Sequence, residues 1–313
     1  MRTALCLCPD AAYFRPAIRA LASLVEAGDA EAFDIFVVCE NADVAPGFEH
    51  LDASLRKRFH LLTVDFVPLV GALRGQGRFP GSVFRRLFLD ALLPERYERI
   101  VYLDSDMRIA RAGLSRLTTL DFAGRPFAAA LDMIYLLDFR CDALARRFQN
   151  HRLALGIDLA TPYLNTGLLA IDRAAWRARE ITARVVAAVL ASPERFAFPE
   201  QDALNHLIAG DFALLSPRLN FMGDFFLLDL ETKLRPIVLH FVNQPKPWNY
   251  ATFPGERRFS EDYRRWFAAS PWPDWPRPAP AAFGHRKPTL TAKRRAFAQR
   301  LTEFLDKQRF VDR

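Results

Sequence analysis

Two aspartates one residue apart are the residues of this chain most capable of chemistry. They lie in the segment Tyr102-Leu103-Asp104-Ser105-Asp106-Met107, directly after an apolar run at 99–103 that is typical of a buried strand. Carboxylates at the end of a core strand cost free energy unless another charge offsets theirs. A divalent cation does so, and oxygen ligands suit Mg²⁺ or Mn²⁺, which bound nucleotides commonly share. The pair points to an enzyme that handles a nucleotide diphosphate; the alternative is a strand end followed by an Asx-turn.

A second chemically capable group follows the apolar run at 236–242. It contains His240, Lys246 and Trp248. A neutral imidazole is a common ligand of transition ions, so a histidine beside two carboxylates favours Mn²⁺ over Mg²⁺. Lys246 can reach a phosphate as a point charge. The spacing therefore predicts a third metal ligand and a cation for a diphosphate.

Short apolar strands alternate with helical patterns along the chain and must position these residues. Strands are predicted over 4–8, 33–39, 61–66, 100–103, 127–131, 168–171 and 236–242, and helices over 16–26, 82–93 (with Ser82 as N-cap), 173 to about 191, and 199–208. This alternation predicts βαβ units and a mostly parallel sheet. Ligands bind outside the carboxyl ends of such strands. Asp10, Asn41, Asp104 and Asp132 all follow strands at such ends.

Composition places the chain among globular proteins. It has 313 residues, 51% hydrophobic and 25% charged, which excludes a disordered chain and allows a large core. No apolar run reaches the ~18 residues that span a bilayer. The first run, 4–8, is shorter than the ~7–15-residue apolar region of a signal peptide. We therefore expect a chain that begins with its fold and resides in the cytosol.

The four cysteines and the basic tail carry further expectations. Cys6, Cys8, Cys39 and Cys141 include no C-x-x-C pair, which predicts reduced thiols rather than a zinc site. Residues 254–313 carry 14 Lys and Arg against 7 Asp and Glu, so the net charge of +7 belongs to this tail.

The tail ends in an amphipathic pattern over 293–311. Its apolar members are Phe297, Leu301, Phe304, Leu305 and Val311, and its basic members lie largely off that stripe. One interpretation is a helix packed on the main domain. Another is a helix on an anionic membrane surface, where each Lys or Arg contributes roughly 1 kcal/mol. Nucleic-acid binding is the least favoured, because no recognisable module accompanies the charge.

Taken together, these segments resemble the retaining glycosyltransferases of family eight, the glycogenin and bacterial lipopolysaccharide galactosyltransferase type. The resemblance spans residues 4 to 248 in the family's order: a nucleotide-binding start, D-x-D, an N-x-G segment at 165–167, a D-Q-D-like segment at 200–202, and a histidine motif ending in K-P-W. It implies a GT-A type fold, a Rossmann-like α/β domain over 1–250, followed by a Pro/Trp-rich segment and basic helix over 251–313.

The resemblance also implies roles for individual residues. Asp104, Asp106 and His240 would ligate Mn²⁺, with Mg²⁺ as the alternative ion, and Lys246 would hold the diphosphate. Asp10 would bind the uracil, Arg86 would lie near the donor sugar with Arg85 competing for that assignment, and Glu200 and Gln201 would face the anomeric carbon. The remaining members of the site are Cys8, Ser105, Asn165, Thr166, Gly167 and Asn243 on the donor side and Asp132 near the acceptor.

The chain departs from the family's pattern at three positions. Asn243 replaces a glycine of the histidine motif, Ala12 replaces an asparagine before Tyr13, and Glu200 replaces an aspartate. A glycine lets backbone approach a phosphate closely, so Asn243 bears on the grip on the diphosphate.

The sequence therefore predicts a Mn²⁺-dependent retaining transferase. It would move glucose or galactose from UDP to a saccharide of lipopolysaccharide or a similar surface glycan, with the tail on the inner membrane face. Two alternatives stay open. A nucleotidyltransferase is disfavoured because the segment 8–13 lacks glycine. A non-catalytic sugar-nucleotide or glycan-binding protein would share the fold.

Overall fold

The computed structural model describes residues 2–73, 80–249, 257–276 and 291–312. Ten strands are present there: β1 Arg2–Leu7, β2 Asp34–Cys39, β3 His60–Thr63, β4 Tyr97–Leu103, β5 Met107–Ile109, β6 Phe127–Leu131, β7 Leu164–Asp172, β8 Ala213–Leu215, β9 Phe221–Met222 and β10 Val238–His240. Seven of them form one sheet in the order β3-β2-β1-β4-β7-β6-β8. Four of its six neighbour pairs are parallel, and only β7 runs against its neighbours.

Helices cover this sheet. The α-helices are α1 Phe14–Glu26, α2 Ala53–Arg56, α3 Val67–Val70, α4 Leu89–Leu92, α5 Met133–Leu136, α6 Ala143–Ala154, α7 Arg173–Ala178, α8 Ile181–Ala191, α9 Pro199–Ile208, α10 Asp224–Leu227, α11 Glu231–Leu234, α12 Arg257–Ala268 and α13 Ala292–Asp306. Short 3₁₀-helices occupy Ala30–Ala32, Asn41–Asp43, Phe48–His50, Gly81–Phe88, Leu114–Thr119, Leu137–Arg140 and Pro193–Arg195. Strands β1, β2, β4 and β6 are buried along nearly their whole length, as their continuous apolar runs require in a sheet covered on both faces. The predicted α/β class with a mostly parallel sheet is confirmed.

Strand direction gathers the candidate residues at one edge of the sheet. The carboxyl ends of β1, β4 and β6 meet there. Because β7 is antiparallel, its first residues lie at that same edge, with Leu164 opposite Leu131 and Leu168 opposite Leu103. The strand is longer than the predicted 168–171, so the N-x-G segment belongs to it. The edge therefore collects Asp10, Asp104, Asp132 and Asn165.

A second, three-stranded sheet brings His240 to this edge. Its order is β5-β10-β9, and β10 is antiparallel to β5. His240 pairs with Met107, the residue after Asp106. Residues far apart in sequence are thus fixed side by side by backbone pairing.

Two predicted helices are wrong in form. The segment 82–93 is a 3₁₀-helix, Gly81–Phe88, followed by the short α4, and Ser82 caps nothing: its hydroxyl donates to Asp10 Oδ2 at 2.8 Å. The helix predicted from 173 to about 191 is divided into α7 and α8 by Glu180, which has a left-handed φ of 50°. Arg179 at this break is ion-paired with Asp211.

The basic helix of the tail packs on the rest of the protein. The stripe residues Phe297, Leu301 and Leu305 of α13 are 4%, 0% and 3% exposed and belong to the main hydrophobic core. The helix ends at Asp306, and Val311 beyond it donates its N–H to Leu214 O. The structure thus agrees with the packing interpretation, and the apolar face needed to enter a lipid surface is already covered.

No helix in the described ranges has the length and apolarity needed to cross a bilayer.

Candidate functional site

A cleft of about 610 Å³ opens at the carboxyl edge of the sheet. Its lining includes nearly every residue that the sequence singled out: Cys8, Asp10, Arg86, Asp104, Ser105, Asp106, Asp132, Asn165, Thr166, Glu200, Gln201, His240, Asn243 and Lys246. The remaining candidate, Gly167, lies behind this wall. The fold thus brings together residues from seven separate segments of the chain.

Asp104, Asp106 and His240 form a compact cluster. Their ligand atoms all lie within 4.8 Å of one another, and no other group of three such side chains is found in the described ranges. His240 Nε2 is 3.1 Å from Asp106 Oδ1 and 3.6 Å from Asp104 Oδ2. The histidine is 2% exposed, so its position is set by the surrounding protein.

Hydrogen bonds behind the cluster assign the tautomer of His240. The backbone N–H of Gly167 donates to Asn165 Oδ1 at 3.0 Å, which identifies that atom as the amide oxygen. Asn220 Nδ2 donates to the same oxygen at 2.8 Å, so Asn220 Oδ1 is left as an acceptor for His240 Nδ1, also 2.8 Å away. The proton therefore sits on Nδ1, and the Nε2 lone pair faces two carboxylates. Two carboxylates and one imidazole nitrogen at this closeness form a donor set that fits a divalent cation.

Gly167 is required by the closeness of these groups. A Cβ built at this position would lie 2.4 Å from His240 Cε1 and 2.8 Å from Asp104 Oδ2. Its carbonyl also accepts from the Asp104 N–H at 2.7 Å. Any side chain here would displace the metal-ligand candidates, so the glycine of the N-x-G segment shapes the cluster from behind.

Lys246 lies against the second oxygen of Asp106. Its Nζ is 2.7 Å from Asp106 Oδ2 and also donates to Phe241 O. Burial acts to raise the pKa of Asp106, but the positive charge of Lys246 and the hydrogen bond that it donates act against burial, and that pKa lies well below its usual range. Asp106 is therefore ionised and Lys246 is only 3% exposed, at the floor of the cleft.

The structure separates the two neighbouring arginines. Arg86 Nη1 lies 3.1 Å from Asp104 Oδ1 and donates to Thr166 O at 3.0 Å. Arg85 points elsewhere and pairs with Glu40 and Asp43 at 2.7 and 2.6 Å. Successive residues of a 3₁₀-helix are about 120° apart, which directs the two side chains to different places. Arg86 therefore takes the position beside the cluster.

Gln201 is held with one orientation of its amide. Its Oε1 accepts from the Thr166 N–H at 3.1 Å, while its Nε2 donates to Asp132 Oδ2 at 3.4 Å and to the Tyr163 hydroxyl at 3.3 Å. Asp132 also accepts from Asn165 Nδ2 at 2.7 Å. Burial raises the pKa of Asp132, partly offset by these hydrogen bonds.

Two acids flank Gln201 and differ in access. Glu200 lines the cleft, and burial raises its pKa while Arg86 opposes that shift. Asp202 is fully buried and accepts from the Phe198 N–H at 2.8 Å and from the Tyr163 hydroxyl, with His151 Nε2 2.9 Å away. Asp202 is therefore a support for Tyr163 and Gln201, and it lacks access to the cleft.

Asp10 marks the opposite end of the cleft. Its Oδ1 accepts from the N–H groups of Ala12 and Tyr13, both at 3.1 Å, and its Oδ2 accepts from Ser82. Burial raises the pKa of the Cys8 thiol to about 12, so this neighbour is neutral. Sequence reasoning had not identified Ser82, Tyr163 or His151 as members of the site. Tyr163 directly precedes β7 and lies two residues before the N-x-G segment, whereas His151 has no local signal.

The sheet, its strand order and the cleft at its carboxyl edge define a GT-A type α/β protein. The family model of glycosyl transferase family 8 matches residues 4–252, and the chain belongs to this family. The fold and family predicted from the sequence are thereby confirmed.

Individual relatives are distant. General stress protein A of Bacillus subtilis is 26% identical over 207 residues, covering 61% of this chain and 66% of that protein. Lipopolysaccharide glucosyltransferase WaaO of Escherichia coli is 24% identical over 202 residues, covering 61% and 55%. The match thus spans about two-thirds or less of these relatives. Among solved structures, galactosyltransferase LgtC in complex with donor and acceptor sugar analogues superposes with a TM-score of 0.65 at 20% identity, covering 83% of this chain and 94% of LgtC.

Proposed function

We propose that this glycosyltransferase moves a hexose, glucose or galactose, from UDP to a saccharide acceptor with retention of configuration. The observation that carries the proposal is the cluster of Asp104, Asp106 and His240, with Lys246 beside it, in the same cleft as Gln201. The names of the relatives, a lipopolysaccharide glucosyltransferase and a galactosyltransferase, support a hexose donor and a surface-glycan acceptor.

The cluster is proposed to hold Mn²⁺ at the diphosphate. Imidazole beside two carboxylates favours Mn²⁺ over Mg²⁺. When bound, the ion would supply Lewis-acid stabilisation of the negative charge that develops on the leaving UDP, worth several kcal/mol. Lys246 and Arg86 add positive charge at the same place. Asp10, at the far end, is proposed to bind the uracil.

Retention is proposed to follow from attack on the same face as departure. The bond between the anomeric carbon and the phosphate oxygen breaks, and positive charge develops on the sugar. The Gln201 carbonyl, whose orientation Thr166 and Tyr163 fix, stabilises that charge. The oxygen of the acceptor hydroxyl forms the new bond to the anomeric carbon, and its proton passes to the leaving phosphate.

A covalent intermediate is less well supported by these residues. Its nucleophile would have to be a carboxylate close to the sugar. Asp202 is buried and accepts a hydrogen bond from the Tyr163 hydroxyl. Glu200 accepts a hydrogen bond from Thr166 Oγ1 at 3.2 Å and lies 3.7 Å from Arg86 Nη2. We assign Glu200 to holding the sugar and Asp132 to the acceptor side.

We also propose that α13 contacts the inner membrane face through its basic side chains and not through its apolar stripe. Lys293, Arg295 and Arg300 are exposed on α13, whereas its apolar stripe is covered by the protein. Attraction of this kind is screened by salt. We therefore expect binding to anionic liposomes to fall steeply between low and physiological ionic strength.

Release of UDP from a panel of UDP-sugars tests the proposal. The assay compares Mn²⁺ with EDTA, and the wild-type protein with Asp106→Ala. Asp262→Ala is the matched control, since Asp262 is ion-paired with Arg19 and Arg108 at 3.0 Å outside the cleft. We expect release from one UDP-hexose, lost on chelation and in Asp106→Ala but kept in the control. Release that survives both EDTA and Asp106→Ala would overturn the proposal. No UDP release from any donor, together with no thermal shift from UDP and Mn²⁺, would favour a protein without transferase activity. No UDP release together with such a shift would indicate that the reaction requires an acceptor absent from the assay.

A further inference from the structure

The order of strands fixes where an acceptor must enter. Along the carboxyl edge, β1 carries Asp10, β4 carries Asp104, β7 carries Asn165 and β6 carries Asp132. In the proposed function, a UDP-sugar lies from Asp10 across the cluster to Asn165. The next position along this edge, beyond Asp132, is therefore left for the acceptor, and the argument that follows rests on that proposed function.

The wall beyond Asp132 is apolar. It is built by α5, the 3₁₀-helix after it, and α6. The side chains that line the cleft there are Met133, Ile134, Leu137, Leu144 and Phe148, with Phe198 and Met222 beside them. Leu144 and Phe148 lie one turn apart on α6 and are half-buried, so they share one face turned to the cleft. The charged residue that joins this part of the lining, Asp224, is ion-paired with Arg140 at 3.1 Å.

This wall is held in place at both ends and from behind. Asp132 caps α5 through the Ile134 N–H at 2.7 Å, and Asp142 caps α6 through the Leu144 N–H at 3.0 Å. The Phe139 ring lies 4.6 Å from the Phe304 ring of α13. The apolar surface is therefore a fixed part of the cleft, and the C-terminal helix supports it.

Such a wall is poorly matched to a bare sugar. Hydroxyl groups pressed against these side chains would lose water without gaining a hydrogen bond, which costs free energy. An apolar group in the same place would gain free energy in proportion to the area removed from water. We propose that the acceptor is a glycoside with an apolar aglycone next to the accepting sugar, and that Leu144 and Phe148 bind this aglycone.

Binding of matched glycosides to the protein with Mn²⁺ and UDP tests the inference. Methyl, hexyl and phenyl glucosides and galactosides are titrated by calorimetry below micelle-forming concentrations, with hexanol as a control for non-specific binding. We expect the hexyl or phenyl glycoside of one hexose to bind at least about tenfold more tightly than its methyl counterpart, the factor of one modest apolar contact. A hexyl preference over phenyl points to a lipid-linked acceptor, and the reverse to an aromatic aglycone.

Variants on one helix decide whether the wall is responsible. The preference is expected to disappear in the double variant Leu144→Ala, Phe148→Ala, to remain largely in Phe148→Leu, and to be unchanged in Leu153→Ala, because Leu153 is 52% exposed elsewhere on α6. Equal affinity of methyl and hexyl glycosides in the wild-type protein, or no binding of either, would overturn the inference. So would a preference that survives the double variant. UDP release from the donor, measured on the same preparations, separately reports whether the proposed function holds.

Discussion

The carboxyl edge of the sheet and the C-terminal helix α13 use charge in opposite ways. At the edge, Asp106, His240, Lys246, Arg86 and Glu200 are all less than one-tenth exposed and lie within one cleft. On α13 the basic side chains are largely at the surface and the apolar ones are buried. Buried charge is costly and is retained where a ligand needs it, whereas surface charge on a packed helix is ordinary. Net charge therefore does not locate the site: residues 1–253, which contain it, are neutral overall, whereas the +7 lies in residues 254–313, where the packed helix α13 carries only part of it.

The largest effect is expected from truncating a buried side chain of α13, which should lower the free energy of unfolding and leave UDP release unchanged. Leu301→Ala removes a fully buried side chain, and a buried leucine truncated to alanine costs about 2–5 kcal/mol. Urea unfolding should show this loss, while UDP release per folded molecule stays near the wild-type value. Leu190→Ala, at a leucine that is 46% exposed, is the control and should cost little. A Leu301→Ala protein that folds but releases no UDP would show that α13 also contributes to the function of the cleft, which contradicts the separate roles of the two regions.

A smaller effect is expected from the neighbouring arginines. Arg86→Lys loses the paired contacts to Asp104 and Thr166 O, which a point charge cannot reproduce, and should lower UDP release about 10–100-fold. Arg85→Lys loses its pairs with Glu40 and Asp43 and should lower stability instead. Steady-state kinetics beside thermal unfolding separates the two results. Equal kinetic losses would show that the functional region extends to Arg85.

The smallest effect is expected from Tyr163. Tyr163→Phe removes the hydroxyl that fixes Gln201 Nε2 and donates to Asp202, so the Gln201 amide loses one restraint. We expect kcat to fall about tenfold with an unchanged KM for the donor, which corresponds to about 1.4 kcal/mol. Tyr135→Phe, a tyrosine that packs on Phe304, is the control. A rise in KM alone would assign Tyr163 to donor binding.

Much of the fold was accessible from sequence because it depends on local pattern. The strand over 127–131 and the helix over 199–208 were predicted to the residue, since apolar runs and a proline-led helix start are local signals. The edge rule for parallel sheets then placed Asp10, Asp104 and Asp132 together. The cluster of Asp104, Asp106 and His240 joins two segments that are distant in sequence. Both segments contain residue types that are recognisable as metal ligands.

The rest depends on contacts between distant residues. Ser82 was predicted to cap a helix, but its hydroxyl is taken by Asp10, 72 positions earlier. The break at Glu180 and the pairing of His151 with Asp202 likewise leave no local pattern. Gly167 was assigned to the donor sugar by resemblance, whereas the structure gives it a steric role behind His240.

Calorimetric titration of Mn²⁺ in the presence of UDP tests the central claim most directly. The wild-type protein and Asp262→Ala are predicted to bind one Mn²⁺ per chain, and Asp106→Ala is predicted to lose that binding, because it removes one of three ligands from the buried cluster. Circular dichroism confirms that each variant is folded. Mn²⁺ binding of equal affinity in Asp106→Ala and wild-type protein would contradict the assignment of this cluster as the metal site.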